Sequence, residues 1–255
     1  MMVDTVPGRQ DRGLLWPTIF AVAGVAILLG LGSWQWQRMV WKEGLIARIT
    51  ERIGAPPIAL ADLKTRLARG DDVEYVRVRI RGRFLSGLES HYWAPGTAGP
   101  AWHIYAPMET EAGELVIVNR GLVADADRDP ARRPEQLDAV REIVGLVRKP
   151  EARGTFTPDN DVGRNIWYWR DLEGMARVML RERAFRALPV LIDVERGAAG
   201  AAAPRTPAGG TTRLELPNNH LQYSMTWYGL ALTLVGVYVA LVWSRSSHVR
   251  PSTPN

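Results

Sequence analysis

The sequence predicts a membrane protein in which two transmembrane helices, N- and C-terminal, flank an α+β, mainly antiparallel-β domain outside the cytoplasm. Two uncharged stretches predict the helices. Leu14–Trp34 is the apolar core of an uncharged run from Gly13 to Gln37, and Pro217–Trp243 carries no Asp, Glu, Lys or Arg before Arg245. Each is long enough to cross about 30 Å of hydrocarbon at about 1.5 Å of rise per residue. Between them, short segments alternate apolar and polar residues, which is typical of strands.

The first apolar run is predicted to be an uncleaved membrane helix. A cleaved signal peptide has a shorter apolar core and a small-residue cleavage site after it, whereas this run ends in the residues SWQWQR at 33–38. Residues 1–13 contain Asp4 and Asp11, and they are too short and too acidic for a mitochondrial transit peptide.

The charges of the two tails predict the orientation. Arg9 and Arg12 precede the first helix, and Arg245 and Arg250 follow the second, so the positive-inside rule places both termini in the cytoplasm. We therefore expect a two-pass protein of a bacterial inner (cell) membrane with a periplasmic domain. The predicted order is a tail at 1–13, a transmembrane helix at 14–37, the outer domain at 38–216, a transmembrane helix at 217–243 and a tail at 244–255.

The outer domain is predicted to consist of many short strands and few helices. In Val73–Phe84, apolar residues alternate with arginines, as in a half-buried strand. Further strands are predicted at Glu89–Trp93, Trp102–Met108, Leu115–Asn119, Glu142–Arg148, Asn165–Arg170 and Val190–Val194. Helices are predicted at Val40–Ile53, Asp62–Arg69 and Asp171–Phe185, the last with Asp171 as its N-cap. This composition favours an antiparallel α+β domain, as a partly closed barrel.

Composition and motifs exclude several classes of function. The chain has no cysteine, which removes disulfides, thiolate metal sites and cysteine catalysis. Its net charge of +5 does not indicate nucleic-acid binding, because the arginines are scattered among acidic residues. A nucleophile elbow, a phosphate loop and a paired-histidine zinc motif are all missing from the sequence, so we do not expect an enzyme.

Five motifs carry a family resemblance. They are LGSWQWQR at Leu31–Arg38, VNRGLV at Val118–Val123, GLVRKPEARGTFTPDND at Gly145–Asp161, NIWYWRDL at Asn165–Leu172 and PNNHLQYSMTWYGLA at Pro217–Ala231. In content and order they resemble the surfeit locus protein 1 family, membrane factors for assembly of cytochrome c oxidase, over nearly the whole chain. Ser224 departs from the small apolar residue usual in the family, and the segment after Val123 lacks the family's usual proline.

The resemblance implies an assembly chaperone that binds haem a transiently and assists its insertion into the catalytic subunit of cytochrome c oxidase. Haem a synthase is a further candidate partner, and membrane lipid surrounds the helices. The histidine of the family's NNH motif, implicated in haem contact in bacterial members, corresponds here to His220.

His220 is the candidate axial ligand of the haem iron. A neutral imidazole suits this role, and aromatic neighbours such as Tyr223 and Trp227 exclude water from the ring. From the residues alone, an alternative is that His220 only caps the entrance of the second helix. Arg38 is a second candidate, because a guanidinium pairs with haem propionates. Its alternative role is to fix the depth of the first helix together with neighbouring tryptophans.

The helical period predicts how the two membrane helices pack. At about 100° per residue, one face of the second helix carries His220, Ser224, Trp227, Ala231 and Tyr238. Small residues occupy roughly the opposite face at Gly229, Thr233, Gly236 and Ala240, and the first helix has a similar row at Ala23, Ala26, Gly30 and Ser33. Because small residues permit close approach in lipid, we expect the two rows to pack together and leave the His220 face open to haem or a partner helix.

The alternative function is a membrane-tethered interaction protein whose outer domain binds a partner without a cofactor. Haem absorption of the purified protein distinguishes this function from the assembly chaperone.

Overall fold

The computed structural model describes residues 12–96, 99–133, 139–197, 206–212 and 216–247. Its elements in chain order are α1 (Arg12–Gly54), β1 (Ile58–Ala59), α2 (Leu60–Ala68), β2 (Arg77–Phe84), β3 (Ser90–Gly96), β4 (Gly99–Thr110), β5 (Leu115–Ala124), β6 (Arg141–Arg148), β7 (Ile166–Trp167), α3 (Leu172–Leu180), β8 (Ala187–Val194) and α4 (His220–Ser247). The chain divides into two compact units. We call Met1–Arg48 with Glu215–Asn255 the helix pair, and Ile49–Leu214 the barrel domain.

The two terminal helices are both long and apolar enough to cross a membrane. This confirms the expectation of an apolar helix at each end of a β-rich domain. The structure differs from the prediction after Gln37, because α1 continues without a break to Gly54 and absorbs the separate helix expected at Val40–Ile53. No proline interrupts that segment, so helical hydrogen bonding propagates through it. The 43 residues of α1 extend about 65 Å, roughly twice the thickness of the hydrocarbon core.

Five strands close the barrel. β2 pairs with β6, β6 with β8, β8 with β5, β5 with β4, and β4 returns to β2 through Phe84 opposite Met108. These pairings are antiparallel except β5 with β8, which is parallel. β1 extends β2, and β3 and β7 extend β4. The barrel is therefore more completely closed than the sequence indicated.

Alternating side chains fill two cores, one on each face of the sheet. Val118 on β5 and Ile192 on β8 belong to the core inside the barrel, which α2 completes with Leu63. Their strand neighbours Ile117 and Leu191 point to the other face, where α3 packs against them. Both faces of β5 and β8 are thus buried, which explains why these strands have long apolar runs.

The predicted helix at Asp171–Phe185 is confirmed in its N-terminal part. Asp171 is the N-cap, and its carboxylate accepts a hydrogen bond from the Gly174 backbone N–H at 2.9 Å. The α-helix ends at Leu180 and a 3₁₀ helix follows over Arg181–Arg186. The predicted strand at Asn165–Arg170 forms only at Ile166–Trp167.

Gly121 allows the segment at 206–212 to lie against β5. Its φ of +124° is in the region that favours glycine, and a Cβ there would lie 2.1 Å from the Ala208 carbonyl oxygen. Leu122 and Ala208 exchange two backbone hydrogen bonds at 3.1 and 3.0 Å. These contacts hold Thr211 and Thr212 beside the barrel.

Candidate functional site

One stripe of α4 is partly or fully buried. It consists of His220, Ser224, Trp227, Ala231, Leu234 and Tyr238. The spacing alternates between four and three residues, which is typical of a helix that packs along a second helix. The face predicted from the helical period therefore exists, but it is the packing face of α4.

The stripe packs on α1 in antiparallel orientation. Near the start of α4, the Ser224 hydroxyl donates to the Gly32 carbonyl oxygen at 2.9 Å. Further along α4 and closer to the start of α1, the Tyr238 and Thr18 hydroxyls share a hydrogen bond at 2.6 Å. Ser224 is fully buried, so its departure from an apolar residue is explained by this bond.

The predicted contact between the two rows of small residues is wrong. At Gly229 and Gly236 on α4, and at Gly30 on α1, a Cβ would have no atom within 4 Å. The close approach occurs instead at Gly32, where a Cβ would lie 2.8 Å from the Tyr228 ring.

His220 is the first residue of α4 and is half-buried. Its Nδ1 lies 2.7 Å from Oε1 of Gln35 on α1. A carboxamide oxygen only accepts hydrogen bonds, so this contact suits the tautomer with the proton on Nδ1, in which Nε2 keeps its lone pair. In that tautomer Nε2 is the nitrogen able to bind a metal, with the ring oriented by an acceptor.

The other predicted site residues differ in their burial and in their contacts. Trp227 shares the packing stripe with His220, whereas Tyr223 is 54% exposed. The Arg38 guanidinium stacks on the Trp41 ring at 4.0 Å. That contact agrees with a role in fixing the position of α1, and pairing of Arg38 with propionates stays a prediction.

Sequence reasoning missed the residues of α1 that hold this end of α4. Gln35 orients His220, and the Lys42 ammonium donates a hydrogen bond to the Pro217 carbonyl oxygen. Leu28, Gln35 and Lys42 are spaced seven residues apart. This heptad spacing puts them on one face of α1, and it is the sequence signal that could have identified Gln35 and Lys42.

Of the barrel domain's two histidines, His91 is buried and hydrogen-bonded, and His103 is half-buried and lines a cavity. Nε2 of His91 lies 2.6 Å from the Glu89 carboxylate, and Nδ1 accepts from Arg128 at 3.0 Å. Burial lowers the pKa of His103. Among the described residues, no three His, Asp or Glu side chains cluster as a metal site. A haem axial ligand needs only one. His248 lies outside the described residues.

These features define a class: a small closed β-barrel domain that lies in sequence between two apolar helices, with an oriented histidine at the start of the second.

The SURF1 family model matches residues 22–232. The chain is 35% identical to surfeit locus protein 1 of Xenopus tropicalis over 218 residues, covering 78% of this chain and 67% of that protein. It is 34% identical to the Homo sapiens protein of the same name over 220 residues, 79% of this chain and 69% of that protein. A SURF1-like protein of Drosophila melanogaster is 36% identical over 225 residues, 81% of this chain and 71% of that protein. The chain belongs to the SURF1 family.

Proposed function

We propose that this protein is a non-catalytic assembly factor for cytochrome c oxidase, which binds haem a transiently and assists its insertion into the catalytic subunit. Membership of the SURF1 family supports the assembly role. Haem a is the cargo in this proposal: haem a synthase is the partner that supplies it, and the catalytic subunit of the oxidase is the partner that receives it.

The observation that carries the haem proposal is the hydrogen bond between Gln35 and His220. In the tautomer with the proton on Nδ1, this bond would orient the ring and leave the Nε2 lone pair available to iron. His220 would hold the iron, Trp227 and Tyr223 would shield the ring from water, and Arg38 would pair with a propionate. A neutral ligand with one uncommitted nitrogen suits a carrier that must also release its cargo.

The proposed location is a bacterial inner membrane, crossed twice, with both termini in the cytoplasm and the barrel domain in the periplasm. Two helices able to cross a membrane and the arginines of both tails support this topology. A cysteine introduced at Ser86 and another at Ser252, tested with a membrane-impermeant thiol reagent on intact cells, check it. Labelling of Ser252→Cys rather than Ser86→Cys would contradict the proposed orientation.

The decisive experiment compares the haem spectrum of the full chain, purified in detergent from cells that make haem a, with three variants. His220→Ala removes the ligand and should abolish haem absorption. Gln35→Leu keeps the imidazole but removes its orientation, and should weaken haem binding about 10- to 100-fold. Ser224→Ala is the matched control, because it breaks a neighbouring contact of the helix pair without touching the ring.

The outcomes separate the two functions. A coloured protein whose spectrum depends on His220 and survives Ser224→Ala supports the proposal. A colourless wild-type protein from a cell with an intact haem a pathway favours the tethered interaction protein. An unchanged spectrum in His220→Ala excludes His220 as the ligand.

A further inference from the structure

We propose that the barrel domain contains a separate binding pocket for a carboxylate group. The pocket opens beside β4, β5 and β8 under the segment at 206–212, and has a volume of about 230 Å³. Its chemistry is set by Tyr105, Arg148, Arg170 and Asp193. All of them belong to the barrel domain, so the pocket is independent of His220.

The buried carboxylate of Asp193 is already saturated. It is 4% exposed and accepts hydrogen bonds from Asn119 at 2.9 Å, Thr212 at 2.9 Å and Arg148 at 3.3 Å. Its charge is therefore compensated inside the protein. A ligand cation would have to compete with three donors, which disfavours a positively charged ligand.

Tyr105 lines the pocket with a hydroxyl group that can donate a hydrogen bond. The residue is only 1% exposed, and within the described part of the chain its hydroxyl makes no hydrogen bond. Burial raises the pKa of Tyr105 well above 10, so the hydroxyl keeps its proton. This hydroxyl can donate to a ligand, because Tyr105 lines the pocket together with Arg148, Arg170 and Asp193.

Arg170 supplies a cation that is only partly used. Within the described residues, its guanidinium donates one side-chain hydrogen bond, in an ion pair with Glu151. The Arg170 side chain is 12% exposed, whereas Glu151 is 43% exposed. The arginine is thus held in place and its acidic partner lies largely in solvent, where a ligand carboxylate can replace it.

The balance of donors and acceptors identifies the ligand class. Arg148 donates through Nε to Glu74 and through Nη1 to Asp193, and its Nη2 donates no hydrogen bond to any other described residue. Burial lowers the pKa of His103, so this neighbour adds no charge. Two guanidinium groups and a tyrosine hydroxyl surround the cavity, and the planar fork of arginine matches a carboxylate.

The test is a titration of the full chain in detergent with sodium propionate, followed by saturation-transfer NMR. We expect saturable binding that weakens about tenfold or more in Tyr105→Phe and in Arg170→Gln, because each loses a hydrogen bond to a charged group. Arg79→Gln is the matched control, since Arg79 is exposed on β2 and paired with Glu142 outside the pocket. Tyr105→Phe retains the ring, so it decides the result if Arg170→Gln fails to fold.

Two further arms identify the source of the carboxylate. A short peptide with a free C-terminal carboxylate is compared with the same peptide as its amide. Tighter binding of the free acid than of propionate assigns the pocket to a chain terminus, and equal binding assigns it to small molecules. The proposal is overturned if propionate and the free-acid peptide do not bind saturably, or bind Tyr105→Phe and Arg170→Gln as well as wild type. We expect the haem spectrum of Tyr105→Phe and Arg170→Gln to match that of the wild type whether or not the pocket binds a carboxylate.

Discussion

The helix pair and the barrel domain hold their polar side chains in opposite ways. In the helix pair, the partners along α4 are uncharged and mostly make single hydrogen bonds, as His220 does with Gln35 and Ser224 with Gly32. In the barrel domain, buried charges form networks, and Asp193 alone accepts from three donors.

The difference follows from the cost of charge in each environment. A charged side chain in a bilayer is expensive, so helices that are apolar enough to cross a membrane favour neutral groups with one partner. A buried position in the barrel domain tolerates an ion only when its partners are present. A neutral residue of the helix pair such as His220 is therefore stable with a single hydrogen-bond partner. In the barrel domain, removal of a buried charge leaves its partners unsatisfied.

The largest effect is expected from Asp193→Ala. It leaves Arg148, Asn119 and Thr212 without their common acceptor, and should reduce the free energy of unfolding of the barrel domain by about 3–5 kcal/mol. Guanidinium denaturation of the full chain in detergent, followed by the circular dichroism of the sheet, measures the loss. Glu142→Gln breaks an exposed ion pair between Glu142 on β6 and Arg79 on β2, and should cost at most about 1 kcal/mol. Equal losses in the two variants would contradict the network.

A second, smaller effect is expected from acid at Glu89. Burial by itself would raise the pKa of this carboxyl, but hydrogen bonds from His91 and Arg133 outweigh it and hold the pKa below its ordinary value of 4.5. A folded-state pKa that is depressed contributes stability above pH 4.5, and that stability is lost as the pH falls through the folded pKa.

Glu89→Gln tests this dependence. At pH 7 the variant should lose about 1.5–3 kcal/mol, because Arg133 loses a charged partner. Thermal unfolding between pH 7 and pH 3 should then show a weaker pH dependence than wild type. The exposed Glu173→Gln serves as control and should follow the wild-type curve. A Glu89→Gln curve parallel to wild type would exclude Glu89 as the titrating group.

Local sequence patterns predicted individual helices and strands better than they predicted which strands pair with each other. The uncharged runs predicted both apolar helices, the alternation in Val73–Phe84 predicted β2, and Asp171 was recognised as a cap because capping is local. Closure of the barrel depends on Phe84 opposite Met108 and on the parallel pairing of β5 with β8, and neither leaves a signal in the strands themselves.

The same limit applies to both sites. Periodicity placed His220 and Ser224 on one face of α4, but the residues that contact this face, Gln35 and Gly32, lie at the other end of the chain. Tyr105 and Asp193 likewise meet only because β4 and β8 both flank β5. Sequence showed which residues share a face, and only the structure showed what that face contacts.

The smallest effect, and the sharpest test of the helix packing, comes from Ser224→Ala compared with Gly236→Ala. Ser224→Ala removes one hydrogen bond to Gly32 and should weaken the contact of the two helices by about 0.6 kcal/mol. Gly236→Ala fills open space in a helix and should leave the contact unchanged. Because the chain has no native cysteine, a disulfide between Gly24→Cys and Leu234→Cys reports the contact directly. Slower disulfide formation with Gly236→Ala than with Ser224→Ala would contradict this packing. It would indicate that the rows of small residues form the interface and that the His220 face is open.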